Sequence, residues 1–258
     1  MKLVESPQTK GAGRDKSGMF SRIWFVILLA TLLVSGITFR MGLWQLDRAQ
    51  VKESANELTV ARQMAPALRN QDWNVTELPN SWLQRKVDLE GRWLHEYTIY
   101  LDNRVLKGAT GFYVLTPLQL TNGPVLLVQR GWVPRDRVRS DLLPKVQTPE
   151  GQIKLQGKVV MPPSKMMELG ASAPASEGFA VLRQNVDLNE LRVQTKLPIV
   201  ASVLQTGEPS EGMLRDWPQA ISGADKNRGY AFQWFGLSLL TVVLYVWFQI
   251  IVPSRRRG

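Results

Sequence analysis

The sequence predicts a membrane protein of mixed α and β class: two transmembrane helices flanking an extracytoplasmic antiparallel β-barrel or sandwich with peripheral helices. Three observations predict it. Two long runs without a charge, Ile23–Phe39 and Tyr230–Val252, stand near the two ends of the 258-residue chain. Short alternating and β-branched segments fill the stretch between them. Basic residues gather just outside both runs.

The first run holds 17 residues, the low end for a span. Met41–Trp44 extends it to a span over 23–44, with Arg40 close enough to one end to reach the headgroups. A cleaved signal peptide does not suit it. The apolar stretch is too long, and Phe39-Arg40-Met41 is no small-residue cleavage site. The second run, 230–252, holds 23 residues. At about 1.5 Å per residue it is roughly 35 Å long and crosses with some tilt. Trp24, Trp44, Trp234 and Trp247 lie towards the run ends, where an aromatic belt sits. Residues 1–22 carry a net charge of +3, and the tail 253–258 carries +3. The excess places both termini in the cytoplasm and 45–229 on the other side of the bilayer. Glu5 and Asp15 in the leading segment speak against a transit peptide. The expected site is therefore a bacterial cytoplasmic (inner) membrane, with the mitochondrial inner membrane as the alternative.

The whole chain carries +10, with 32 Lys plus Arg against 22 Asp plus Glu. Its flanks account for much of that, and only +4 is spread over the 190 residues of 40–229. A lipid bilayer, not nucleic acid, is the expected partner of this charge. With no Cys, disulfides, thiolate metal sites, Fe–S clusters and cysteine nucleophiles are excluded. With His95 alone, so are two-His metal motifs.

After the first span, Gln45–Leu68 has good helix formers and few β-branched residues, so a helix is expected to continue out of the membrane. Strands are expected at Lys86–Leu89, Tyr97–Leu101, Gly111–Leu120, Val125–Arg130, Ile153–Val160 and Ile199–Leu204. Thr121-Asn122-Gly123-Pro124 between two of these runs predicts a hairpin. Val186–Thr195 reads as a short helix, capped by Asp187 with Glu190 completing a capping box. Residues 162–178 and 206–224, rich in Pro and Gly, read as loops.

No nucleophile-elbow, phosphate-loop or zinc-protease motif is present. His95 falls in a turn, and Glu90, Glu96, Asp102 and Asp136 are scattered carboxylates, so no catalytic or metal-binding residue is assigned. Arg104 and Arg130 each end a strand-like stretch near a glycine. There a guanidinium either clamps a carboxylate of a ligand or makes an ion pair within the domain. Tyr230 and Trp234, four apart, share a helix face at the start of the second run, with Gln233 adding a polar group. Such aromatics form either an interface belt or a wall for a planar ligand.

Four separated motifs carry a resemblance. Gly42-Leu43-Trp44-Gln45-Leu46 and Arg48 close the first run. Leu101-Asp102-Asn103-Arg104 precedes the run from Gly111 to Leu118. Val125 to Pro134 follows. Arg228-Gly229-Tyr230-Ala231, with Gln233-Trp234-Phe235-Gly236-Leu237, opens the second run. Taken in order, with the same two-span layout, they resemble the Surfeit locus protein 1 family of cytochrome c oxidase assembly factors over nearly the whole chain. The resemblance implies an assembly factor and not an enzyme. It would assist the binding of haem a and its delivery to subunit I of a haem–copper oxidase, with haem a synthase as a further partner. It also implies haem contacts from Tyr230, Gln233 and Trp234, and propionate or partner contacts from Arg104 and Arg130. The family carries a His, its expected axial haem ligand, three residues before this Tyr, and the present chain has Asn227 there. Asn is a poor iron ligand. Three accounts stay open: weakened ligation, a substitute ligand such as Tyr230 or a Met, and a scaffold that does not hold iron. A different class of protein, a two-span ligand-binding sensor, would have to signal through a partner, because only 22 residues precede the first run and 6 follow the second.

Overall fold

The structure, a computed structural model, describes residues 16–75, 77–121, 123–136, 142–163, 179, 181–218 and 222–255, with side chains from residue 22. Most of the basic leading segment, Asn122 of the expected turn, 164–178 and 219–221 of the expected loops, and 256–258 of the tail lie outside these residues. Met1–Asn56 and Ile221–Gly258 form one compact unit, and Glu57–Ala220 forms a second.

Helix α1 runs unbroken over Lys16–Met64. At about 1.5 Å per residue its 49 residues reach roughly 74 Å, far beyond the ~30 Å apolar core of a bilayer. The expected continuation past Trp44 is present and stops four residues before Leu68, which instead pairs with Val87 of the barrel. Helix α3 spans Ala224–Val246 and continues through a π-helical turn, Trp247–Ile251. It begins six residues before the apolar run, where Gly223 at φ 64° turns the chain and Asp225 favours the first helical turn. Both helices are long and apolar enough to cross a membrane.

The two helices pack antiparallel: Trp24 meets Tyr245, Phe39 meets Phe235, and Gln45 meets Asn227. Their shared seam is made of small residues. Ser35, Thr38, Gly42 and Ala49 on α1 face Ala224, Ala231 and Ser238 on α3. Small side chains let helix backbones approach where no water drives association. The Ser35 and Ser238 hydroxyls meet at 2.9 Å, and Ser238 also donates to the Ser35 carbonyl at 3.0 Å. Thr31 and Thr38 donate back to the Ile27 and Val34 carbonyls of their own helix.

The second unit is a seven-stranded sheet: β1 Lys86–Trp93, β2 Ile99–Leu106, β3 Ala109–Leu120, β4 Val125–Pro134, β5 Gln152–Val160, β6 Leu182–Arg183 and β7 Ile199–Gln205. Its order is β1-β5-β7-β4-β3-β2-β6, and β1 also pairs with β3 at Gly91↔Leu120 and Trp93↔Leu118. That extra pairing closes β1, β5, β7, β4 and β3 into a five-stranded barrel, leaving β2 and β6 along the first half of β3. The expected all-antiparallel pairing needs a correction: β4–β7 and β2–β6 are parallel. A parallel neighbour requires a crossover. Helix α2, Leu188–Thr195, sits in the crossover that leads into β7.

Alternate residues fill the barrel. Val87, Leu89 and Trp93 of β1 meet Leu118 and Leu120, Leu126 and Val128, Leu155 and Val159, and Ala201 and Val203. On the outer face, Ile99, Leu101, Leu115, Val125 and Leu127 pack under α2 through Leu191. Strand β4 is therefore covered on both sides, which is why Val125–Val128 has no polar alternation. Asp187 caps α2 as expected, accepting from the Asn189 and Glu190 amides. The Glu190 side chain meets Gln194 and Arg183. The β3–β4 hairpin forms where expected, with Gly123 N–H donating to the Leu120 carbonyl. A second hairpin, β2–β3, turns at Lys107 (φ 48°) and Gly108 (φ 80°). Lys-Gly is a weaker turn signal than Asn-Gly, so this hairpin is not announced by its turn residues.

Candidate functional site

The residues singled out from the sequence fall in two places, each within its own unit. Asn227, Tyr230, Gln233 and Trp234 all ride on the first turns of α3. Arg104 and Arg130 belong to the sheet unit, inside β2 and β4 and not at strand ends.

Arg130 is completely buried. Its fork donates to Thr148 Oγ1 at 2.8 Å, the Gln147 carbonyl at 2.7 Å and Glu211 Oε2 at 2.9 Å, with Thr116 Oγ1 at 3.4 Å. Its plane lies over the Trp93 ring at 4.7 Å. Glu211 also meets Arg215 at 3.4 Å, and Arg215 donates back to the Arg130 carbonyl at 2.9 Å. The segment that delivers Glu211, rich in Gly and Pro, holds a structured turn. Ser210 bridges to Met213, and Leu214 pairs with Trp132 of β4. The carboxylate Arg130 clamps is thus one of this chain. Burial pushes Arg215 below its usual pKa, Glu211 pulls it back up, and the Arg130 charge lowers it further.

Arg104, also buried, donates to the Gln184 carbonyl at 2.6 Å and lies 5.8 Å from the centre of the Tyr113 ring. Its own carbonyl accepts from Trp132 Nε1 at 2.8 Å. Burial lowers its pKa, and Tyr113 and Asp102 raise it. Arg135 pairs with Asp102 and stacks over Phe112. Both predicted arginines hold strands together. His95, in the 3₁₀ turn His95–Tyr97, is exposed, with Glu96 at 3.7 Å. Among the described residues no group of three or more metal-ligating side chains gathers.

On the helix pair, Asn227 is held from two sides. Its Oδ1 accepts from Lys52 Nζ at 2.7 Å, and its Nδ2 donates to Gln45 Oε1 at 2.6 Å. Next in sequence, Arg228 meets Glu53 at 2.5 Å and Asp225 at 3.6 Å. Gln45 and Lys52 are seven apart and so share a face of α1, a spacing visible in the sequence; what hid the pairing is that Asn227 lies 175 positions away. Tyr230 and Gln233 are exposed, and Trp234 is half-buried, on the following turns.

Haem iron in proteins is held by His, Cys, Met or Tyr, each through an available lone pair on a good donor atom. The Asn227 amide offers none: its oxygen is taken by an ammonium, and its nitrogen carries no lone pair for metal. The residues at this position do not fit an axially ligated haem.

A small closed barrel lying in sequence between two long apolar helices, with arginines that tie strands together, is the class of protein defined by this fold. The chain matches the SURF1 family over residues 32–239. It belongs to that family. It is 27% identical to a SURF1-like protein of Rickettsia felis over 233 residues, covering 88% of this chain and 98% of that one. It is 24% identical to Surfeit locus protein 1 of Takifugu rubripes over 259 residues, 90% of this chain and 97% of that one. With the cytochrome oxidase assembly protein SHY1 of Saccharomyces cerevisiae it shares 28% identity over 109 residues, 41% of this chain and 27% of that one.

Proposed function

We propose that this chain is an assembly factor for cytochrome c oxidase. Both apolar helices cross a bacterial cytoplasmic membrane, both termini lie in the cytoplasm, and the barrel faces the outer side. Its partners are the bilayer, subunit I of the oxidase and haem a synthase. The observation that carries the reading is the family match, which runs from the first apolar helix through the barrel into the second. One relative in that family is named for cytochrome oxidase assembly.

In this reading the chain acts by holding partners and not by turnover. Haem a is the group whose insertion into subunit I it supports. Asn227 does not carry that group on its iron. The barrel supplies a rigid body, because its arginines are spent on internal carbonyls and carboxylates. The Trp-rich helix ends fix its depth at the interface.

The test is deletion of the gene in a strain without a second member of the family. Reduced-minus-oxidised spectra of the membranes should show loss of haem a absorbance, restored by a plasmid copy. The tagged protein should co-purify with subunit I. Full oxidase content in the deletion strain would overturn the proposal.

A further inference from the structure

We infer that in this chain the Lys52–Asn227–Gln45 triad is a clasp that sets the register of the two apolar helices, and that Lys52 is the residue that closes position 227 to iron. The inference concerns the helix pair alone and does not depend on the assembly reading.

The clasp follows from what each group can do. An ammonium only donates, so the oxygen of the Asn227 amide must face Lys52, and its NH₂ is then left facing the Gln45 oxygen, 2.6 Å away. The amide therefore uses both ends to tie α3 to two residues of α1 that stand about two turns apart. Glu53 and Arg228, next in sequence to Lys52 and Asn227, add a second tie at 2.5 Å. Below the clasp the seam offers little directional grip. It is small residues, the Ser35–Ser238 contact and the Phe235 ring against Gly42, where an added Cβ would come within 2.5 Å of the ring. Small seams pack well in more than one register, and a polar contact is what selects one.

The exclusion of iron follows from the same geometry. A neutral imidazole has one lone pair. In an Asn227→His variant, Lys52 stands where it would donate to that lone pair, and Gln45 accepts from the other nitrogen. Lys52 and an iron centre would compete for one atom, and the fixed positive charge would also repel ferric iron. Position 227 becomes a ligand only when residue 52 is changed with it.

The chain has no Cys, so a Ser35→Cys, Ser238→Cys pair reports helix register by oxidative cross-linking of the full-length protein in detergent. The native clasp should give ready cross-linking. Asn227→Leu in that background should slow it by roughly threefold for each of the two hydrogen bonds lost. An unchanged rate would overturn the clasp. Titration with hemin in a His95→Ala background, followed by the Soret shift of imidazole ligation, tests the exclusion. The chain with Asn227 and that with Asn227→His should show no imidazole-type species, and Asn227→His with Lys52→Leu should show one, at least tenfold tighter than either. Three results would overturn the assignment: a ligated species with Asn227 present that Asn227→Leu abolishes, equal binding by the chains with and without Lys52→Leu, or no binding by the Asn227→His, Lys52→Leu chain. Cross-linking of the Cys pair in each variant shows that the helix pair has formed.

Discussion

Arg130 shows how far a single residue type constrains its role. Its neighbours Gly131 and Trp132 suggested a strand end, yet the residue lies inside β4 with no exposed surface, and its partners come from three separate segments. Removing one partner of a buried pair strands a charge and costs about 3–5 kcal/mol. Arg130→Met should therefore lower barrel stability by about that much in urea unfolding. Arg130→Lys should not restore it, because one ammonium cannot reach Thr148, the Gln147 carbonyl and Glu211 together. Two tyrosines give the pH dependence. Burial raises Tyr100 above its ordinary 10.0 against the pull of Arg130, and burial raises Tyr113 against Arg104. A raised folded pKa means that the folded state holds the proton longer. Stability from these groups is complete below pH 10.0 and is lost as pH rises through their folded values. Unfolding midpoints should be unaffected by these tyrosines from pH 7 to 9 and fall above about 10, and Tyr100→Phe should blunt the fall.

Among the elements, the strands followed their periodicity and the closure did not. Val87, Leu89 and Trp93 alternate in the sequence as they do in the barrel, and Asp187 announced α2 by its capping chemistry. The β1–β3 seam was invisible, because both strands read the same whether the sheet is open or closed. Gly91 sits at that seam, and a Cβ there would collide with the Gln119 carbonyl oxygen. Gly91→Ala should therefore destabilise the barrel by about 1–3 kcal/mol, the usual cost of overpacking. Hydrogen exchange should quicken first in Glu90–Trp93 and Leu118–Leu120. Equal protection in the variant would mean that the seam gives way at no cost. The parallel β4–β7 pair was likewise hidden, since parallel and antiparallel neighbours differ in where the chain has travelled and not in side-chain alternation.

For the whole molecule, the charge flanks predict a topology that labelling can check. Single Cys residues placed at exposed barrel positions such as Lys107 and Lys154 should react with an impermeant maleimide in intact spheroplasts. One at Lys2 should react only after permeabilisation. The opposite pattern would invert the membrane orientation. Two apolar helices, a strand-rich middle and the family resemblance were all legible in the chain, because each rests on local composition or on short motifs. The departure at Asn227 was legible too, as one residue out of pattern. What that residue does was not. Lys52 and Gln45 are unremarkable charges and amides on a helix until α3 returns antiparallel and brings Asn227 between them. Arg130 likewise stayed open between ligand clamp and ion pair until the turn at Glu211 met it. Spans, strands and caps depend on neighbours in sequence, so the sequence alone determined them. Barrel closure, the buried ion pair and the clasp depend on which distant segments meet, and only the tertiary structure decided those.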